Sequence, residues 1–228
     1  MNLLKDLRAL FYPETCPSCR QQLVQNEKII CTFCRHDLPL TNFKSYTKNK
    51  INAIFYGRIP IEKAFALLLL RKKGITKNLI HQLKYHGMEE IGVFFGDWLG
   101  EIHSENQEFS SVDLIIPVPI HPKKKKLRGY NQLTKFGTRL QHHLKIPFVA
   151  GVLVRSSATA TQTLKSRFER FNDLHTKFSI LDLDRFKNKH VLIIDDVITT
   201  GATLEACALE LMKTSGIKIS ILAMAYTE

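Results

Sequence analysis

No apolar run in this 228-residue chain approaches the roughly 20 residues that a membrane-crossing helix requires. The longest candidate, Ala64 to Leu70, is closed by Arg71, Lys72 and Lys73. Near the N-terminus, Lys5 and Asp6 interrupt the apolar residues early and no small-residue cleavage site follows, so a secretory signal is not expected. Leu3, Leu4, Leu7, Leu10 and Phe11 instead share one helical face, suited to docking on a core. Acidic residues are in short supply: 21 Asp and Glu face 33 Lys and Arg, a formal net charge of +12. That imbalance favours polyanionic partners, whether nucleic acid, phosphorylated metabolites or an anionic membrane, and is equally compatible with a merely basic, soluble surface. There is no internal repeat, and no low-complexity tract is longer than Lys123 to Lys126. Cysteines number five, four of them in two tight pairs. Such a pattern speaks against a disulfide framework and for a metal site in a reducing, cytoplasmic setting.

What is present suffices for a folded core: 44% of residues are hydrophobic. Three stretches differ in character. Residues 1–40 hold the apolar helix and the cysteine pairs. Residues 41–110 begin with a polar linker, Thr41 to Asn52, and continue as a hood-like segment. There Thr76 to Tyr85 and Met88 to Ile102 read as helices separated by Gly87, the second with Phe94, Phe95, Trp98, Leu99 and Ile102 as its core face. Ala64 to Leu70 fits either strand or helix. Residues 111–228 read as alternating strands and helices: strand Val112 to Ile116, helix Asn131 to Leu144, strand Phe148 to Val154, strand His190 to Ile194, helix Ala202 to Ser215 and strand Ile217 to Tyr226. This alternation predicts an α/β fold with a mostly parallel sheet and flanking helices.

The richest segment is Val191-Leu192-Ile193-Ile194-Asp195-Asp196-Val197-Ile198-Thr199-Thr200-Gly201-Ala202-Thr203. An apolar strand runs into two carboxylates, then hydroxyl residues, a glycine and a helix start. In an open α/β sheet, ligands sit beyond the carboxyl ends of the strands, where Asp195 and Asp196 are expected. Ionised carboxylates only accept hydrogen bonds, which suits sugar hydroxyls. Thr199 to Thr203 can wrap backbone N–H groups around a phosphate, with Gly201 permitting close approach and the helix dipole favouring negative charge. The lysine of a Walker loop is missing, since Ala202 follows the glycine, and the dinucleotide glycine pattern is absent too.

Cys16-Pro17-Ser18-Cys19 and Cys31-Thr32-Phe33-Cys34 are two C-x-x-C knuckles, the spacing at which four thiolates close around one structural Zn²⁺. A site with four protein ligands keeps no open position, so catalysis is not expected there. His36 is a competing ligand only in principle. Cys207 reads as a small core residue. The pair His142 and His143 lacks an apparent third ligand and reads as exposed.

The Val191 to Thr203 string resembles the phosphoribosyl pyrophosphate (PRPP) signature of type I phosphoribosyltransferases. Pro117-Val118-Pro119-Ile120-His121-Pro122, Leu127-Arg128-Gly129-Tyr130-Asn131-Gln132, Gln162-Thr163-Leu164 with Arg167, Arg170 and Asn172, Leu83-Lys84-Tyr85 and the cysteine knuckles extend the resemblance, over nearly the whole chain, to the ComF/ComFC family of competence-linked phosphoribosyltransferase-like proteins. It departs locally at Lys123 to Lys126 and at Ala64 to Leu70. The resemblance implies a type I phosphoribosyltransferase-like core with a small N-terminal zinc-binding module. By it, Asp195 and Asp196 bind the ribose 2- and 3-hydroxyls, and Thr199, Thr200, Gly201, Ala202 and Thr203 bind the 5-phosphate, with Val197 and Ile198 between them. The loop at Pro119 and Ile120, with Lys84 and Arg128, handles pyrophosphate. Arg167 and Arg170 belong to a closing loop within Arg155 to Lys177. It further implies Mg²⁺ bound with PRPP and pentosyl transfer with loss of pyrophosphate to an unidentified acceptor. The same resemblance links the chain to DNA uptake, with single-stranded DNA or competence-machinery proteins as partners. The competing expectation is a non-catalytic nucleic-acid or partner-binding module built from the finger and the basic loops.

Overall fold

The computed structural model describes residues 13–155 and 178–228. The N-terminal helix face, Arg167, Arg170 and the rest of the expected closing loop between 156 and 177 lie outside these residues.

A parallel sheet organises the chain. Its strands are β1 (Ala64–Leu70), β2 (Leu114–Pro117), β5 (His190–Ile198) and β6 (Lys218–Thr227), in the order β1-β6-β5-β2 with each pairing parallel. A short antiparallel pair, β3 (Leu153–Arg155) and β4 (Phe178–Ile180), stands apart. The helices are α1 (Thr32–His36), α2 (Lys50–Phe55), α3 (Ile75–Tyr85), α4 (Glu90–Asn106), α5 (Pro122–Arg128), α6 (Leu133–Leu144) and α7 (Ala202–Leu211). β5 and β6 are interior strands, covered on both faces, which is why Val191 to Ile194 and Ile219 to Tyr226 are unbroken buried runs rather than alternating ones. The ambiguous Ala64 to Leu70 is a strand, and it joins this same sheet through β6. The expected boundary near residue 110 therefore runs through one sheet.

Several expectations shift in detail. The anticipated strand from Phe148 is at first only a bridge: Ile115 donates to Pro147 O (2.9 Å) and Val149 to Ile115 O (2.8 Å), after which the chain turns at Gly151 and strand β3 begins. The Phe148 ring lies over Gly137 of α6, so close that an added Cβ would sit 2.2 Å from it. Helix α7 ends at Leu211 rather than Ser215. The lysine tract is helix α5, with His121 capping it, Pro122 in its first turn and Gly129 ending it in the left-handed region. The Thr41 to Asn52 segment is packed rather than loose. Thr41 donates to Leu67 O, and the Asn49 amide caps α2 and reaches Ala64 O.

Helix α4 meets α6 through a stripe that apolar periodicity does not reveal. Gly92, Gly96 and Gly100 line the contact, and a Cβ at Gly96 would fall 2.6 Å from Arg139 Cβ. The missing side chains let the backbones approach closely. Asp97 then receives hydrogen bonds from Arg139 and His143 across the seam, so His143 is docked rather than exposed. Phe95 and Leu99 are buried as anticipated, whereas Phe94 and Trp98 are half-buried beneath the Arg35 guanidinium of α1.

His103 is enclosed by Tyr46, Phe65 and Phe109, with its Nδ1 3.2 Å from Tyr46 Oη. Burial pushes its pKa down to about 3. The folded protein keeps this ring neutral while the unfolded chain takes up a proton below about pH 6.5. Its contribution to stability is therefore complete above pH 6.5 and is lost as pH falls toward 3. Between pH 7.5 and pH 5, His103→Gln should lose less stability than the parent, by about 2 kcal/mol. Urea midpoints at the two pH values measure this, and parallel losses in both proteins would contradict it.

Candidate functional site

The site forms where β5 outruns β2. Their pairing ends at Pro117 opposite Ile194, and Val118 donates to Ile194 O at 2.9 Å. β6 continues beside β5, pairing Asp195 with Ala223 and Ile198 with Tyr226. Asp195 and Asp196 therefore lie inside the strand, not beyond its end as the sequence suggested. They are nevertheless at the carboxyl edge of the sheet, because the pairing with β2 has ended before them. The Pro119–Ile120 turn leaves the sheet beside them.

Asp196 is almost fully buried and engaged at both oxygens. Lys84 Nζ, at the end of α3, lies 2.7 Å from Oδ1, and Gln132 Nε2 donates to Oδ2 at 2.8 Å. Gln132 is held in turn by Arg128, whose Nη1 donates to its Oε1 at 2.8 Å while the guanidinium lies 5.2 Å from the Tyr85 ring centre. Tyr130 donates its hydroxyl to Leu83 O, fastening α3 to the α5–α6 turn. Arg128 thus orients a neighbour of the acid pair. Asp195 accepts from the backbone N–H of Asp196 at 2.8 Å. The protein packed around Asp195, and then the charge of Asp196, push its carboxyl pKa up to about 8.

Beyond the acids, Thr199 and Thr200 are exposed and Gly201 adopts φ +75° before α7 begins. Two constraints demand glycine at 201: the left-handed backbone, and a site for Cβ only 2.8 Å from the Phe55 ring of α2. Arg58 braces this loop by donating to Thr200 O at 3.0 Å and pairing with Glu205. At the start of α7 Gly201 offers no side-chain cap, and Thr200 Oγ1 accepts from the Ala202 N–H at 3.4 Å. A strand-borne acid pair next to a glycine-led helix start can hold hydroxyls at one end and an anion at the other.

Gln132, Tyr130 and Arg58 carry no role that the sequence alone reveals. No local spacing signals an amide that reaches across to another element. The structure brings together Lys84, Arg128, the Pro119–Ile120 turn and the Asp195 to Thr203 segment.

The four cysteines also converge. All four Sγ atoms of Cys16, Cys19, Cys31 and Cys34 lie within 4.8 Å of one another, and Cys19 and Cys31 are 3.6 Å apart. Tetrahedral coordination at about 2.3 Å per bond places sulfurs about 3.8 Å apart, so the cluster can hold a metal such as zinc. The first knuckle is closed by Cys16 donating to Gln21 O and Arg20 to Cys16 O. In the second, Cys31 caps α1 and Glu27 takes the Thr32 and Val24 N–H groups. His36 is turned outward onto Asp37 and takes no part. Cys207 is a buried residue of α7, as expected.

The phosphoribosyl transferase domain family matches residues 134–227, which includes the acid pair, the Gly201 loop and both interior strands. Competence protein F of Haemophilus influenzae is 33% identical over 114 residues, covering 50% of this chain and 50% of its own. These matches support a ComF-family, type I phosphoribosyltransferase-like protein. DNA utilization protein YhgH of Escherichia coli O157:H7 is 30% identical over 152 residues, 65% of this chain and 66% of its own. The chain thus aligns with about half to two thirds of the length of these relatives. Among solved structures, glutamine PRPP amidotransferase from B. subtilis overlaps 62% of the chain and 30% of its own, with TM-score 0.42 and 16% identity. Adenine phosphoribosyltransferase from Leishmania tarentolae overlaps 62% and 73%, with TM-score 0.37 and 17% identity. Among the described residues no helix is long and apolar enough to cross a membrane.

Proposed function

We propose that the chain binds PRPP and acts as a phosphoribosyltransferase, displacing pyrophosphate at the ribose anomeric carbon. The observation that carries this reading is the acid pair on β5 followed directly by the Gly201 loop and the start of α7. Asp195 and Asp196 take the ribose hydroxyls, and residues 199–203 take the 5-phosphate at the helix N-terminus. Lys84 and the Pro119–Ile120 turn lie on the pyrophosphate side, where negative charge grows as the bond breaks. Arg167 and Arg170 are proposed for the closing loop on the strength of the sequence string alone. The four thiolates hold structural zinc, and a cytoplasmic location suits their reduced state. The names of the relatives, competence and DNA utilization, support a place in the handling of incoming DNA.

Calorimetry with PRPP, ribose 5-phosphate and pyrophosphate tests the ligand. PRPP should bind at least about tenfold more tightly than either fragment, because only it engages both ends of the site. Equal affinities would reduce the site to a general anion cradle. Pyrophosphate release with candidate bases and amines then separates turnover from binding alone.

A second reading has its own observation. Lys123 to Lys126 are exposed on α5, with Leu127 exposed after them and the exposed Tyr85 ring against Arg128 of the same helix. Such a surface suits single-stranded nucleic acid as a partner, with or without catalysis. In the same calorimeter, oligonucleotide binding should weaken steeply with salt and with loss of these lysines; no heat at low salt would dismiss it.

A further inference from the structure

The acid pair is already neutralised from within. Asp196 has an ammonium on one oxygen and an amide N–H on the other, at 2.7 and 2.8 Å. Asp195 is turned to the backbone of Asp196. Mg²⁺ demands near-octahedral oxygen lone pairs at about 2.0–2.1 Å, and a dication brought to Asp196 would press against the Lys84 charge. These residues therefore do not fit as a magnesium cradle.

Lys84 is also well anchored. It sits in the last turn of α3, and Tyr130 ties the neighbouring Leu83 carbonyl to the α5–α6 turn. Gln132, oriented by Arg128, holds the second oxygen of Asp196, so the carboxylate cannot swing away from the ammonium without breaking that bond. One Lys84 donor is spent on Asp196. Among the described residues the other two have no partner and can serve a ligand oxygen. A fixed monocation between a carboxylate and the pyrophosphate side supplies part of the charge that a bridging metal would bring there.

We propose that Lys84 replaces the divalent cation at this acid pair, so that the site binds PRPP without Mg²⁺, with Gln132 as the positioning residue that holds Asp196 against it. This rests on the PRPP reading above. The raised pKa of Asp195 agrees with it, because a largely neutral carboxyl needs no counter-cation.

The test is PRPP calorimetry on the full chain in buffer stripped of magnesium over chelating resin, with metal analysis showing that the finger's zinc is retained, and again with millimolar MgCl₂. Affinities within about threefold are expected. Binding only with MgCl₂ would overturn the inference and leave the PRPP reading standing. Binding in neither buffer would remove the PRPP reading and this inference with it. Lys84→Met supplies the second arm. Without magnesium it should bind at least about 30-fold more weakly than the parent, and MgCl₂ should restore part of the loss, since the freed Asp196 can then accept a metal. Parental affinity of Lys84→Met without magnesium would equally overturn the proposal. The two-buffer comparison on the unmodified chain needs no variant to fold.

Discussion

Replacing Asp195 and Asp196 together by asparagine should weaken PRPP binding by at least about 30-fold. A hydrogen bond to the ionised Asp196 contributes about 1.5–3 kcal/mol and one to the mostly neutral Asp195 about 0.5–1.5 kcal/mol, so the two lost together amount to a factor of about 30 to 2,000. Asparagine is close in shape to aspartate but turns half of each acceptor into a donor, which faces the ribose hydroxyls wrongly. The two positions should differ in their effect on folding. Asp195→Asn removes a carboxyl whose surroundings already favour its neutral form, so thermal stability should be kept or raised. Asp196→Asn leaves the Lys84 ammonium without its partner and should lower stability. Calorimetry checks the affinity and a thermal melt checks the fold. Unchanged affinity in a folded double variant would rule out this acid pair as the sugar site.

Metal removal should have the largest structural effect. Apparent zinc-binding free energies in finger peptides are about 10–16 kcal/mol, far more than a segment this small gains from its own apolar core. Stripping the metal, or changing Cys34→Ser, should unfold the segment around residues 13–38. The rest of the chain should largely survive, because the sheet is built from residues beyond it. The chain's single tryptophan reports the event. Trp98 lies under the Arg35 guanidinium at 5.7 Å, and it lines a cleft of about 390 Å³ between the finger and α4 together with Lys28, Thr32 and Glu101. Loss of the finger should expose it and shift its emission to the red while far-ultraviolet dichroism changes little. Purified protein with less than one zinc per chain after reconstitution, or emission that ignores chelation, would count against the four-thiolate site.

The two features read most directly from the sequence are local ones. A C-x-x-C knuckle places its thiolates by a tight turn, and the Asp195 to Thr203 string places acids, glycine and helix start by the geometry of one strand–loop–helix unit. Apolar periodicity likewise marked α3, α4, α6 and the interior strands, because one-sided burial leaves its period in the residues themselves. Length of strand was less legible. β5 runs on through its two acids because β6 continues alongside to pair with them, and a neighbour's extent is not written in a strand's own residues.

What tertiary structure alone decided is which groups meet. The contact of α4 with α6 rests on Gly92, Gly96 and Gly100, whose signal is the absence of a side chain and therefore invisible to a search for apolar ones. Lys84 ends one helix, Gln132 precedes another, and Asp196 lies in a strand far from both along the chain. Their convergence fixes the charge of the site, since Coulomb and hydrogen-bond energies depend on separation in space and not in sequence. The sequence determined that this protein carries an acid pair, a phosphate-type loop and four clustered thiols. The fold decided that the acid pair is met by a lysine.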